Sequence, residues 1–108
     1  MKNRFRLEGK VMIVYKLVRR TQDGKKVSLM SSGKDEVDYK VGEFAYPPNG
    51  VLYAYDSLER AEGYIYRCGV PTSIVELWKA EATDVALVPP WPNLVGCKSL
   101  KLLERIFP

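Results

Sequence analysis

Five tyrosines, Tyr46, Tyr53, Tyr55, Tyr64 and Tyr66, fall within 21 residues and flank the rigid pair Pro47-Pro48. Aromatic side chains beside a stiff loop suit either a stacking platform or a pocket wall. The competing reading is that Tyr53 and Tyr55 alternate onto one strand face and pack there as core. Trp91 stands between Pro90 and Pro92. It suits an interface anchor and equally a cover over one end of the core. Tyr46, Tyr53, Tyr55 and Trp91 are therefore the candidates for a pocket or interface.

A second candidate set is basic. Residues 1–34 hold ten Lys/Arg against two acids, while residues 35–108 hold seven against eleven. Lys10, Lys16, Arg19, Arg20, Lys25 and Lys26 gather around one expected hairpin. A β-ribbon bearing such cations can enter a nucleic-acid groove or meet an acidic partner. Lysines guarding a solvated strand edge give the same pattern.

Histidine is absent, which removes the commonest general base and metal ligand. No nucleophile elbow, phosphate-binding glycine loop or dinucleotide fingerprint occurs. No motif calls for a cofactor or a metal. The carboxylates of Asp35-Glu36-x-Asp38 read as a surface loop. Cys68 and Cys97 lie 29 residues apart and outside any C-x-x-C pair. Two buried free thiols are expected, with a disulfide as the alternative.

The elements that position these residues follow from periodicity. In residues 10–20, Val11, Ile13, Tyr15 and Leu17 fall on one face and Met12, Val14 and Val18 on the other. A strand apolar on both faces is central in a sheet. Asp23-Gly24 predicts a tight turn, and Val27 opens the returning strand. Residues 37–41 predict a short strand with Val37, Tyr39 and Val41 on one face. Residues 51–55 predict another.

Asp56 then reads as a helix N-cap with Glu59 completing a capping box. Leu58, Ala61, Ile65 and Cys68 repeat at helical spacing over about residues 57–68. Gly69 supplies the left-handed stop. Residues 73–83 predict a strand with Val75 and Leu77 on one face and Ile74, Trp78, Ala80 and Ala82 on the other. Residues 89–93 predict a rigid loop. In the tail, Leu100 and Leu102 alternate as in a strand, while Leu103, Ile106 and Phe107 fit a helical turn. A closing strand is the expectation.

The stretch Gly50-Val-Leu-Tyr-Ala-Tyr-Asp-Ser-Leu-Glu-Arg-Ala-Glu-Gly-Tyr64 resembles the glycine, aromatic strand and Ser-x-x-x-Ala helix of small ADP-ribosyltransferase-like domains. The resemblance covers about fifteen residues of the segment 50–66. It implies a transferase-like scaffold with a cleft near Tyr53, Tyr55 and Ser57. The family's Glu/Gln-x-Glu triplet occurs nowhere in this chain, so its catalytic apparatus is absent or rebuilt. More broadly, the chain resembles the small proteins of phages and archaeal genomes.

The expected architecture is α+β: residues 1–108 as a single domain, with one mostly antiparallel sheet of five or six strands and one main helix. No apolar run spans a bilayer and no secretory h-region follows the basic start, so the expected compartment is the cytoplasm without membrane association. Few Asn and Gln beside many Lys, Glu and Arg resemble a thermophile's composition. Binding is favoured over catalysis: a non-enzymatic interaction module, with a homodimer or protein partner first. The alternatives are a nucleic-acid binder using the basic hairpin and a small enzyme on the transferase-like scaffold.

Overall fold

The computed structural model describes residues 11–29, 37–48, 50–69, 73–88 and 91–107, apart from the side chains of Cys68, Trp91, Pro92 and Phe107. Eight strands and one helix follow in the order β1 (Val11–Arg20), β2 (Lys26–Ser28), β3 (Phe44–Ala45), β4 (Leu52–Tyr55), α1 (Leu58–Cys68), β5 (Val75–Thr83), β6 (Ala86–Val88), β7 (Trp91–Cys97) and β8 (Ser99–Phe107). All eight strands join one antiparallel sheet in the order β3-β8-β5-β1-β4-β7-β6, with β2 also paired to β1. The class is α+β as expected, but the sheet has eight strands rather than five or six. None of the helical residues described forms a helix long and apolar enough to cross a membrane.

β1 is central, as its two apolar faces require. Val14 and Val18 enter one core, together with Trp78, Ala80 and Ala82 of β5, Leu100 and Leu102 of β8, Leu52 and Ala54 of β4, and Val95 and Cys97 of β7. Leu17 enters a second core with Val75, Leu77, Ala61 and Ile65, where α1 lies across the opposite sheet face. The side-chain alternation of β5 is therefore as expected from its sequence.

The sheet curls around the larger core. Lys98 alone joins β7 to β8, and its N–H donates to the Thr83 carbonyl at 3.0 Å. A one-residue link holds its flanking Cα atoms within about 7 Å, although four steps of the sheet order separate these two strands. Only a strongly coiled sheet satisfies both conditions. Asp84 turns β5 toward β6 with φ of 51°, a conformation that Asp tolerates better than most residues.

The hairpin turn forms where Asp23-Gly24 places it. Thr21 N–H donates to the Lys25 carbonyl at 2.9 Å, and Gly24 takes φ of 87°. The helix stop is also as expected, with Gly69 left-handed at φ 60° and donating to the Ile65 carbonyl. The helix start is one residue later than the sequence suggests. Ser57, not Asp56, is the N-cap, and its hydroxyl accepts from the Arg60 N–H at 3.4 Å.

Three further corrections concern strands. Residues 37–40 form no strand, yet Val37 and Tyr39 are buried in the larger core while Val41 is exposed. The Tyr39 N–H donates to the Lys26 carbonyl at 2.7 Å, so this segment closes over the core as a loop. β3 and β6 hold two and three residues, too few to show a period. β7 begins inside the expected 89–93 loop. Its register to β6 jumps from Val95 opposite Leu87 to Trp91 opposite Val88, so Pro92 and Asn93 sit at a bulge, a place where a strand tolerates proline.

Candidate functional site

β5 occupies one edge of β1 from Val11 to Arg19, so β2 and β4 must share the other edge. β2 pairs with Val18, Arg19 and Arg20. β4 touches β1 through the Tyr15–Tyr55 pair. Extending the first register brings Leu29 opposite Leu17, and extending the second brings Tyr53 opposite the same residue. The two strands diverge instead, and the sheet splits beside Lys16 and Leu17.

A cavity of about 490 Å³ occupies this split. Its walls include Leu17, Leu29, Leu52, Tyr53, Tyr55 and Leu94, with the Pro47-Pro48 pair at its rim. The size and the mostly apolar lining are those of a small-molecule site. Tyr55 leans on Tyr64 of α1, with ring centroids 6.3 Å apart, and so belongs to the smaller core as well as to the wall. Tyr53 is 48% exposed. The alternation of Tyr53 and Tyr55 thus gives one core-supported wall residue and one open one. Tyr46 is exposed and lines a separate shallow depression with Val37, Phe44 and Pro48. Trp91 opens β7, but its side chain lies outside the described part.

Among the described residues, Lys16 is the one charged side chain lining the cavity. It shares the inner face of β1 with Val14 and Val18 and is only 6% exposed. Its Nζ donates to the Tyr53 carbonyl at 2.5 Å and lies 5.5 Å from the centre of the Tyr39 ring. Burial pushes its pKa down to about 8, against a smaller opposing pull from the Cys97 thiol. Burial also raises the Cys97 thiol to about 11 and the Tyr39 phenol to about 12, although Lys16 and the Ser28 hydroxyl respectively oppose these shifts. No carboxylate pairs with Lys16 among the described residues.

The described members of the expected basic set sit in different surroundings. Lys16 is a correction: it is interior, because position 16 falls on the same face as the buried Val14 and Val18. Arg20 binds the Glu76 carboxylate at 2.7 Å and also the Ser73 carbonyl. Lys26 lies 5.7 Å over the Trp78 ring. Lys25 is exposed, 3.8 Å from Asp23, and Arg19 is half-buried. Lys10 lies outside the described residues.

Glu76 organises a second polar cluster that sequence reasoning missed. It is 1% exposed and accepts from Arg20, from Trp78 Nε1 at 2.8 Å and from Arg105 at 3.4 Å. Its described partners are all donors of the protein itself, so the cluster reads as an internal brace. Cys97 is a buried free thiol, directed at the Leu52 carbonyl. The Cys68 side chain lies outside the described part, as do Asp35 and Glu36. Among the described residues no three His, Cys, Asp or Glu side chains converge as a metal site would need.

Burial of Lys16 was legible in one respect. A strand apolar on both faces leaves no solvent for the residue between Val14 and Val18. The split that creates the cavity had no local signal, because it depends on where β2 and β4 leave β1. Comparison with protein families, with curated proteins and with solved structures gave no match.

Proposed function

We propose that this chain is a non-enzymatic binding module that holds a small apolar molecule in the split of its sheet. The observation that carries this reading is the cavity of about 490 Å³ between β1, the end of β2 and β4. An open sheet edge normally closes by hydrogen bonding along its length. Here the edge beside Leu17 faces apolar side chains from three elements instead.

Among the described residues no group of nucleophile, base and oriented partner surrounds the cavity, and a binding role accounts for its lining better than catalysis. The nucleic-acid alternative has weaker support, because its cations are divided among the interior, the Glu76 brace and the Trp78 ring. A homodimer has no comparably specific observation behind it.

The test is titration with N-phenyl-1-naphthylamine, an uncharged dye that fluoresces in apolar surroundings. Saturable binding at one site is expected in the wild type. Leu29→Trp, which adds bulk at the half-buried rim, is expected to abolish it while leaving the circular dichroism spectrum unchanged. Absence of saturable binding, or equal binding by a folded Leu29→Trp protein, would overturn the reading.

A further inference from the structure

We infer that the molecule held in the split carries a carboxylate, and that the Lys16 ammonium binds it; this deepens the pocket reading and rests on it. Lys16 offers three N–H donors. The Tyr53 carbonyl takes one of them, and the Tyr39 ring presents only its π surface. Among the described residues nothing takes the other two, which remain for a ligand in the mostly apolar cavity that Lys16 lines.

Charge makes the same point. A buried ammonium without an anionic partner is costly. The other buried charge among the described residues, Glu76, is partnered by two guanidiniums and an indole. Lys16 has a neutral carbonyl, a ring and a protonated thiol around it. An anion arriving with an apolar tail would supply the missing counter-charge in a site of low dielectric, where the pairing is strong. A carboxylate fits better than a phosphate, because one ammonium can neutralise a single negative charge and no second cation lines the cavity among the described residues.

The competing role for Lys16 is that of a staple, holding β4 to β1 across the split through Tyr53. The two roles separate on ligand preference. Octanoate and 1-octanol share an apolar tail and differ in charge, and each can compete for the naphthylamine dye. At pH 7 octanoate is expected to displace the dye at a concentration at least about tenfold lower than octanol. Lys16→Met is expected to remove that preference, bringing the two displacing concentrations to within about twofold of each other whatever its own dye affinity.

A wild-type measurement guards against a variant that fails to fold. Octanoate stays ionised at pH 9.5, and the preference is expected to fall there as Lys16 loses its proton. The described titratable neighbours of its ammonium are Tyr39 and Cys97. Tyr39 and Cys97 both keep their protons at that pH, with values of about 12 and 11.

Equal displacement by octanoate and octanol would overturn the head-group inference and leave the pocket reading standing. A preference that survives in folded Lys16→Met would overturn it also. Failure of the dye itself to bind would remove the pocket reading, and this inference with it.

Discussion

Lys16 and Tyr53, 37 positions apart, meet in a 2.5 Å bond from the ammonium to the main-chain carbonyl, across the gap where β4 leaves β1. The bond gives the freed carbonyl of β4 a donor, and it fixes a buried cation in the cavity lining. A neutral donor such as Gln would serve the carbonyl with less desolvation. A charge kept in that position at a cost in stability points to use rather than to architecture.

Replacing Lys16 by Met is expected to stabilise the protein at pH 7 and destabilise it near pH 11. The folded pKa of about 8 lies below the ordinary value of 10.5, so between them the unfolded chain holds more protons and wild-type stability rises with pH. That shift represents about 3 kcal/mol of charge penalty present below pH 8. Loss of the bond to Tyr53 returns about 1–2 kcal/mol of it. The net expectation is a gain of about 1–2 kcal/mol at pH 7 and a loss of similar size once the wild-type amine is neutral. Paired urea denaturations at pH 7 and pH 11 check this. A variant less stable at both would mean that the staple outweighs the charge.

Glu76→Gln is expected to cost roughly 2–4 kcal/mol, because it leaves the Arg20 and Arg105 guanidiniums facing a neutral amide. Burial pushes the Glu76 carboxyl up, but hydrogen bonds from Arg20 and Trp78 and the charges of Lys26 and Arg20 outweigh it and hold the pKa below the ordinary 4.5. Its contribution is thus complete above that value and lost as pH falls through the folded one. Thermal melts between pH 6 and pH 2 should show a shallower acid decline in the variant than in the wild type. Glu81→Gln, which loosens the half-exposed pair with Lys101 at 3.2 Å, should change stability by less than about 1 kcal/mol.

The parts of the fold legible in the sequence are those set by short-range pattern. The two-faced run of β1, the Asp23-Gly24 turn, the alternation of β5 and the Gly69 stop each depend on neighbours a few residues away. β7 is hidden in the sequence because the prolines and Asn93 of residues 89–93 read as a rigid loop, whereas a bulge accommodates Pro92 and Asn93. The candidate site was half legible. The aromatic run points to Tyr53 and Tyr55 as pocket residues, but the charge of Lys16 points to the surface and masks its position between Val14 and Val18.

Ser57→Ala is expected to cost about 1 kcal/mol through loss of the cap on the Arg60 N–H. Asp56→Ala should change stability by less than about 0.5 kcal/mol or increase it. The Asp56 Oδ1 atom is buried without a hydrogen-bond partner, and the Asp56 N–H keeps its bond to the Asn93 carbonyl whatever the side chain. Chemical denaturation of the two variants should therefore rank Ser57→Ala as the less stable. The opposite ranking would return the cap to Asp56.

Gly96→Ala probes the wall of the cavity from behind. Gly96 is buried in β7, opposite Tyr53 on one side and Ala86 on the other. A Cβ there would stand 2.9 Å from Val51 Cγ2 and 3.5 Å from Val88 Cγ2. Val51 is β-branched and turns stiffly about χ1, so the contact is relieved by moving the start of β4 rather than by a rotamer change. Overpacking of this kind costs about 1–3 kcal/mol. Because Val51 also lines the cavity, the same shift should weaken binding of the naphthylamine dye. A variant destabilised by this amount with unchanged dye affinity would show that the wall of the site is independent of the β4–β7 contact.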